Sequence, residues 1–355
     1  MRSRMTRWAS IRRTRIARAL RPTIERWAED EAVRLDRDLL ERAVLDLGPN
    51  HRIPPSSAAR DIEEVFVMFT DERASYMHAL HETKRRMALV RRLGVKHPWW
   101  EINRKHGGYR FAQQVGLSVP QTFGRFGRIE DVNPSACGDR FLIKPEGGST
   151  NRGIYGLDRQ PDETFIDRVN GGNTTWSQVT DEYRALVAEG KVSESVMVEE
   201  LLLKPGDPTS IPDDFKLYCF YDRVELVMQR DIRKSGRHAD WRFKFWDREW
   251  NDLGPIKYAD RVDQSLQPAR DPAALIAAGE LLGSRLRMPF CRLDFYDTDR
   301  GIVFGEVTLN PGPPEVFAPE VDEFLGRHRE FAAARLLAED VEAGGWDHLL
   351  PDLKR

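Results

Sequence analysis

The stretch CRLDFYDTDRGIVFGEVTLNPG, residues 291–312, limits the fold more strongly than any other part of the chain. Two runs rich in β-branched and aromatic residues flank the polar turn DTDRG, which is the pattern of a β-hairpin. Each run carries one carboxylate among apolar neighbours, Asp294 in the first and Glu306 in the second. Because burying a carboxylate is costly unless it is paired, the hairpin has to supply a partner for both acids.

Strand alternation places the two acids close together. Side chains of a strand alternate between its faces, so Glu306, Thr308 and Asn310 share one face of the second run. Folding the hairpin about its turn brings Asp294 opposite Glu306. Two carboxylates and a carboxamide are oxygen ligands that suit Mg²⁺, whereas two carboxylates alone also suit acid–base chemistry of the glycosidase kind.

A lysine followed by a glycine-bearing loop is the second informative motif. In FLIKPEGGSTNRGIYGL, residues 141–157, an apolar strand ends at Lys144, and Gly147, Gly148 and Ser149 follow. Small residues let backbone N–H groups approach a phosphate, and the lysine supplies a countercharge. The loop is neither a Walker A loop nor a GxGxxG motif, and an ordinary turn is the alternative interpretation.

Two further β-rich stretches carry charged residues. SVMVEELLL predicts a strand over 196–198 that Glu199 and Glu200 interrupt. DDFKLYCFYDRVELVMQRDIRK predicts a second hairpin, with Lys216 and Arg230 on its strands, where they face one pocket or form surface ion pairs. Lysines, a glycine loop and Mg²⁺ together form an apparatus for a nucleoside triphosphate, which favours the metal interpretation of the two acids.

Composition and charge narrow the class of protein. The 355 residues allow about two domains of the usual size. The net charge of −2 gives no nucleic-acid signal, and three widely spaced cysteines form neither a zinc motif nor a disulfide framework. No apolar run approaches the ~20 residues that span a membrane. We therefore expect a cytoplasmic protein that binds no nucleic acid and has no transmembrane span.

The N-terminal segment differs from the rest of the chain, because residues 1–27 hold nine arginines and a single acid. Apolar residues at roughly helical spacing between Ile16 and Trp27 predict a helix with one packed face. The same composition is typical of a transit peptide, of peripheral contact with a membrane surface, or of an RNA-binding arm without a base-reading motif. A helix over 23–47 and a strand over 63–69 are predicted next.

The order of the motifs resembles the ATP-grasp superfamily. The lysine strand and glycine loop are followed by VEEL, DDFKLYCFY, RLDFY and FGEVTLNPG, and PDDFKLYCFYD and FGEVT resemble the teichuronopeptide-biosynthesis (TupA-like) type. The resemblance covers about residues 100–330 and includes NRKHGGYRFAQQVGLSVP, which is similar to the first helix of such domains. It implies an α+β protein with an ATP-grasp fold, whose two α+β lobes hold the nucleotide between them, preceded by a helical N-terminal region.

The resemblance also divides the chain. We expect a basic helical N-terminal region over 1–60, a region before the ATP-grasp unit over 61–139, a lid lobe over 140–205, a metal-binding lobe over 206–340 and a C-terminal tail over 341–355. Helices are predicted near residues 72–93, 104–115 and 322–342.

Matching positions imply roles for individual residues. The nucleotide would be bound by Lys144, Gly147, Gly148, Ser149, Glu199, Glu200, Leu201, Asp214 and Lys216. Asp294 and Glu306 would hold Mg²⁺ on the triphosphate, with Asn310 as a third ligand. Many ATP-grasp enzymes carry Asn two residues after the metal-binding Glu, where this chain has Thr308, so Thr308, Asn310 or a water fills the third position. Arg110 is the basic residue that the first helix contributes.

The implied chemistry is ATP- and Mg²⁺-dependent amide formation in the biosynthesis of a cell-surface polymer or polysaccharide. A carboxylate on a small molecule or polymer attacks the γ-phosphate, and an amine displaces phosphate from the acylphosphate. Arg230 and Arg292 are the candidate catalytic residues that steady this intermediate. Two alternatives stay open: a phosphotransferase acting on a carbohydrate or hydroxyl acceptor, and a nucleotide-binding partner protein without catalysis.

Overall fold

The computed structural model describes residues 74–146, 152–232, 240–311 and 316–344. All of them belong to one compact unit, Ala74–Arg355. Several predictions lie outside the described residues: the basic N-terminal region, the helix over 23–47, the strand over 63–69, the loop residues Gly147, Gly148 and Ser149, and most of the C-terminal tail.

Six α-helices lie in the described part of the chain: α1 (Tyr76–Arg92), α2 (Pro98–Ile102), α3 (Lys105–Gln114), α4 (Trp176–Ala188), α5 (Pro272–Leu286) and α6 (Pro319–Glu342). The predicted helices near 72–93, 104–115 and 322–342 are confirmed as α1, α3 and α6. Polar caps set several helix starts. The Ser75 hydroxyl accepts from the His78 amide, and Thr175 and Gln178 form a reciprocal capping box.

The first sheet has six strands: β1 (Thr122–Phe126), β2 (Arg140–Pro145), β3 (Tyr155–Arg159), β4 (Phe165–Asp167), β5 (Asn173–Thr174) and β6 (Val196–Glu200). Their order is β1-β6-β2-β3-β4-β5, and every pair is antiparallel. Helix α4 places Val179 and Tyr183 in one core with Phe141 and Ile143 of β2. The sheet therefore holds Lys144 on a strand whose apolar residues are fixed by packing.

The prediction that Glu199 and Glu200 interrupt a strand is wrong, because β6 continues through both residues. A charge is tolerated at position 199 since its carboxylate pairs with the Lys144 ammonium of the neighbouring strand. Strand β1, which comes from the region predicted to precede the lid lobe, pairs with β6 in this sheet. The predicted domain boundaries stay a prediction.

The second sheet has five antiparallel strands: β7 (Asp214–Phe220), β8 (Arg223–Asp231), β9 (Arg242–Trp246), β10 (Cys291–Thr298) and β11 (Gly301–Thr308). Their order is β11-β10-β7-β8-β9, so β7 and β10 are central. Both predicted hairpins are confirmed, as β7–β8 and β10–β11. The hairpin that carries the two predicted metal-binding acids thus contributes one strand to the middle of the sheet and one to its edge.

Helices cover both faces of the second sheet. Helix α5 packs close to it, since a Cβ on Gly283 would lie 2.3 Å from the Cys219 Sγ atom. Tyr218 and Phe220 face the other way and share a core with residues of α1 and α6. The described helices include none that is both long enough and apolar enough to cross a membrane.

Candidate nucleotide and metal site

The cross-strand register brings the two acids of the opening hairpin together. Asp294 of β10 is paired with Glu306 of β11 on one side and with Lys216 of β7 on the other. In an antiparallel sheet, directly opposed residues have Cβ atoms about 4.5–5.5 Å apart. The structure therefore places both acids and the lysine in one row across three strands.

Asp294 finds its partners in two cations. The Lys216 ammonium forms an ion pair with its carboxylate, and Arg292 Nε lies 3.0 Å from its Oδ1 atom. Burial alone would raise the pKa of Asp294, but the charges of Arg292 and Lys216 outweigh it and lower the pKa to about 2. Asp294 is therefore ionised and neutralised within the fold.

Glu306 is in the opposite situation. Burial and the charge of Asp294 raise its pKa above the ordinary value, and it forms no ion pair within the described part of the chain. The side-chain oxygen of Asn310 is buried and has no hydrogen-bond partner among the described residues. Glu306 and Asn310 are thus oxygen donors without a partner among the described residues, whereas Asp294 already pairs with Lys216 and Arg292. Oxygen donors of this kind suit Mg²⁺.

The donor set is small. The described residues contain no group of three or more His, Cys, Asp and Glu side chains that could hold a metal ion. A site built on Asp294 and Glu306 thus has two carboxylates, with Asn310 as an amide ligand. The Thr308 hydroxyl accepts from Arg292 at 3.3 Å and keeps one lone pair, so Thr308, Asn310 and a water all stay candidates for the third position. Mg²⁺ commonly keeps several waters and takes one or two carboxylates together with substrate phosphates.

A second buried ionic group forms around Lys144 on the first sheet. The Lys144 ammonium donates to Glu199 Oε1 at 2.5 Å and to the Tyr109 hydroxyl at 2.7 Å. The same hydroxyl donates to Glu199 Oε2 at 3.0 Å. Burial and the charge of Glu199 raise the pKa of Tyr109 well above its usual value, so it stays a donor. The three side chains close a triangle.

Lys105 lies between the two groups and was not predicted. Burial and the charge of Lys144 lower its pKa to about 8, while the acids Glu306 and Glu199 act in the opposite direction. Its ammonium donates to the Pro145 carbonyl at 2.8 Å. Helix α3 thus reaches both sheets, since Lys105 contacts Pro145 of β2 and the ring of Tyr109 lies 6.3 Å from the ring of Phe304 on β11.

A cavity of about 640 Å³ opens beside Lys105. Its lining is rich in basic side chains: Arg104, Lys105, His106, Arg110 and Arg125. Only two acids balance them, and one of these, Glu146, is already paired with Arg125. We call this space the cationic cavity, and its charge suits a polyanion such as a triphosphate.

The remaining predicted residues lie at the edges of the two groups. Arg230 forms an ion pair with Asp214, whose carboxylate also lies 2.9 Å from the Lys216 ammonium. Glu200 pairs with Arg300 at 2.7 Å, and Leu201 is buried. Asp214 and Arg230 are thus linked to Asp294 through Lys216. Glu200 and Leu201 come directly after Glu199, the residue of β6 that pairs with Lys144.

A sequence model of the TupA-like ATP-grasp family matches residues 85–329. The chain belongs to this family. ATP-grasp membership agrees with the α+β architecture and the two antiparallel sheets. A comparison with curated proteins gave no match.

Solved ATP-grasp ligases are similar to this TupA-like chain at low identity. PsnB, complexed with a phosphomimetic variant of a minimal precursor, Mg and ADP, is 15% identical over 66% of this chain and 59% of its own, with a TM-score of 0.36. The chain thus spans about three fifths of the length of PsnB. The D-alanine–D-alanine ligase from Bacillus anthracis complexed with ATP is 13% identical, covering 72% and 75%, with a TM-score of 0.41.

Sequence reasoning missed two residues that the structure brings to this region. Tyr109 completes the Lys144 triangle, and Lys105 contacts the end of β2. The basic run NRKHGG carried a signal for Lys105, although Arg110 was named instead, and nothing in the local pattern distinguishes Tyr109 from an ordinary packing residue. Trp241 opens the segment that follows the strand of Arg230, and its ring stacks on Arg230 with 4.4 Å between Cζ and the ring centroid.

Proposed function

We propose that this TupA-like ATP-grasp protein is an ATP- and Mg²⁺-dependent carboxylate–amine ligase that acts through an acylphosphate in the biosynthesis of a cell-surface polymer. One observation carries the proposal. Lys216, Asp294 and Glu306 form one row across three strands, in which the buried Lys216 and Asp294 are paired and Glu306 forms no ion pair among the described residues. Family membership and the low-identity likeness to complexes containing ATP, ADP or Mg support the same reading.

Asp294, Glu306 and Asn310 would hold the metal ion. When bound, Mg²⁺ supplies positive charge that neutralises the acids and the triphosphate. Lys144 and Lys216 are the buried ammonium groups that would contact phosphate oxygens. For Lys144 this requires exchange, because its present partners are Glu199 and Tyr109.

The two arginines are oriented by fixed partners. Arg292 is held by Asp294 and by the Thr308 hydroxyl, whereas Arg230 is held by Asp214 and by the ring of Trp241. Guanidinium groups that are fixed before the reaction stabilise developing negative charge without reorganisation. They would steady the phosphoryl group and the acylphosphate.

The reaction has two steps, formation of the acylphosphate and formation of the amide. A substrate carboxylate oxygen attacks the γ-phosphorus, which breaks its bond to the bridging oxygen and releases ADP. The amine nitrogen then attacks the acyl carbon, the carbon–oxygen bond to phosphate breaks, and the nitrogen loses a proton. The protein positions the reactants and excludes water, which would otherwise hydrolyse the acylphosphate.

Glu306→Gln tests the proposal. We expect Mg²⁺ to strengthen ATP binding to the natural protein and to lose most of this effect in the variant, with amine-dependent ADP release about 10²- to 10³-fold lower. Nucleotide titration with and without Mg²⁺, followed by an ADP assay over pairs of carboxylates and amines, measures both. Asp299→Asn, an exposed acid in the turn of the same hairpin, is the matched control.

Product analysis separates the proposal from its nearest rival. Free phosphate together with a new amide supports the ligase, whereas phosphate retained on a hydroxyl acceptor identifies a phosphotransferase. If Mg²⁺ strengthens nucleotide binding equally in Glu306→Gln and the natural protein, the assignment of the metal site is wrong.

A further inference from the structure

A second cavity of about 640 Å³ lies between the far strands of the first sheet and Trp241 of the second. Its walls include Tyr155 of β3, the turn around Asn170, and Gln178 and Glu182 of α4. Trp241, which precedes β9, is the one lining residue from the second sheet within the described part of the chain. We call this space the distal cavity.

The distal cavity is connected to the proposed reaction centre through a chain of contacts. The ring of Trp241 stacks on the guanidinium of Arg230, with 4.4 Å between Cζ and the ring centroid. Arg230 pairs with Asp214, whose carboxylate lies 2.9 Å from the Lys216 ammonium. Lys216 pairs with Asp294. A molecule in the distal cavity would therefore lie one side chain away from a candidate catalytic arginine.

Neutral hydrogen-bonding groups of the cavity are oriented before any ligand arrives. The Asn170 amide nitrogen donates to the Ile154 carbonyl at 2.8 Å and to Asp167 Oδ2 at 2.7 Å, which leaves its own carbonyl oxygen for a ligand. The Gln178 carbonyl oxygen accepts from the Thr175 amide at 2.8 Å, which leaves its NH₂ group. The cavity thus offers a fixed acceptor and a fixed donor, the pair that a hydroxyl group can use in both directions.

One carboxylate of the cavity is available to a ligand. The Asp167 carboxylate already has partners within the protein. Its Oδ1 atom accepts hydrogen bonds from the backbone N–H groups of Gly156, Val169 and Asn170 at 2.9–3.1 Å. Glu182 is exposed, and the Tyr155 hydroxyl at 3.3 Å is its single hydrogen-bond partner among the described residues. A carboxylate in this situation suits an ammonium group.

The two cavities differ in charge. The cationic cavity carries five basic side chains, whereas the lining of the distal cavity includes one cation, Arg152, beside Glu182 and several neutral amides and hydroxyls. The first suits a polyanion. The second suits a ligand that is rich in hydroxyl groups and carries at most one positive charge.

We propose that the distal cavity binds a hydroxyl-rich primary amine, an amino-sugar unit, with its ammonium group paired to Glu182 and its hydroxyl groups bonded to Asn170 and Gln178. As the amine partner of amide formation this assignment rests on the proposed function, whereas binding of the amino sugar does not. A peptide amine would find the carboxylate but would leave the hydroxyl-binding pair unused.

Three small probes test the assignment by calorimetry or ligand-detected NMR: D-glucosamine, D-glucose and triglycine. Glucose keeps the hydroxyl groups without the amine, and triglycine keeps an amine without hydroxyl groups. We expect glucosamine to bind at least tenfold more tightly than either. Glu182→Gln should remove the preference for glucosamine over glucose, and Asp181→Asn, an exposed acid that does not line the cavity, should leave it unchanged.

The outcomes separate this inference from the ligase proposal. Equal binding of glucosamine and glucose to the natural protein, or a preference that survives Glu182→Gln, overturns the inference. Tighter binding of triglycine than of glucosamine assigns the cavity to a peptide amine and overturns it as well. Titration of Mg-ATP is run on the same proteins, so a failure of nucleotide binding counts against the proposed function and leaves the glucosamine result standing.

Discussion

Two buried lysines, one on each sheet, have opposite surroundings. Lys144 belongs to a closed set, in which Glu199 and Tyr109 satisfy one another and the ammonium. Lys216 belongs to an open set. It pairs with Asp294 and Asp214, but its neighbourhood keeps polar atoms without hydrogen-bond partners among the described residues: Asp214 Oδ1, Arg230 Nε and Asn310 Oδ1.

The two sets differ in whether their polar atoms already have hydrogen-bond partners within the described part of the protein. Buried polar atoms are nearly always paired, so the unpaired atoms of Asp214, Arg230 and Asn310 need an explanation. In the open set, a nucleotide and a metal ion would supply the missing partners. In the closed set, a phosphate has to displace Glu199 from Lys144. A ligand could therefore bind the open set without breaking an internal ion pair around its unpaired atoms, whereas binding at Lys144 would first have to break the pair with Glu199.

The largest effect is expected from Asp294→Asn. Removing this charge leaves the half-buried Arg292 without its carboxylate and Lys216 with Asp214 alone, so the loss of unfolding free energy should lie at the lower end of the range of about 3–5 kcal/mol. Urea unfolding followed by circular dichroism measures the loss, and nucleotide binding in the presence of Mg²⁺ should be lost with it. At low pH the natural protein should show the same weakness, because the pKa of Asp294 is lowered from 3.8 to about 2. Its contribution is present above pH 3.8 and disappears as the pH falls toward 2.

Asp297→Asn is the matched control for that variant. Asp297 lies on the same strand and is paired with Arg270 at 3.0 Å, away from the predicted ligands. We expect this change to lower stability while Mg-ATP still binds to the folded fraction. Equal loss of binding in both variants would mean that Asp294 acts only through stability.

A smaller effect is expected in the closed set. Lys144→Met leaves Glu199 buried with a single partner, so stability should fall by a few kcal/mol. Adding Glu199→Leu removes both charges and should recover most of the stability, since a buried pair replaced by apolar residues is often neutral. The double variant should fold and yet bind ATP weakly, as measured by nucleotide titration. If it binds ATP like the natural protein, the closed set has no role in nucleotide recognition.

The open set was predictable where its geometry is local. A turn motif and a period of two place Asp294 opposite Glu306, and the structure pairs them. The hairpin of Lys216 and Arg230 follows the same rule. Contacts between the strands of one hairpin are fixed by short-range sequence, which is why alternation alone located most of this group.

The closed set was not predictable in the same way. Tyr109 comes from a helix that precedes Lys144 by 35 residues, and no periodicity encodes that approach. Glu199 was taken to interrupt a strand because acids are disfavoured there, and its partner on β2 reverses that expectation. Lys105 could not be predicted for the same reason, since its surroundings depend on how α3 packs against both sheets.

The smallest effect, and the most discriminating test, is expected from Lys105, because charges of both sets shift its pKa. Its pKa of about 8 means that the ammonium is charged below that pH and becomes neutral above it. Attraction for the phosphates of ATP should therefore weaken several-fold between pH 7 and pH 9.5. The folding stability of the nucleotide-free protein should instead increase over the same pH range. A lysine whose pKa is lower in the folded state than its ordinary 10.5 favours folding increasingly as the pH rises from 8 to 10.5.

Lys105→Arg separates charge from position, since a guanidinium stays protonated throughout this range. The arginine variant should lose the pH dependence of ATP affinity, and Lys105→Met should bind weakly at every pH. Titrations of Mg-ATP at pH 7, 8, 9 and 9.5 measure all three proteins. An identical pH profile in the natural protein and Lys105→Met would show that the decline belongs to another group. Lys105 would then lie beside the nucleotide without contacting it. A different basic residue would have to account for any effect of pH on ATP binding.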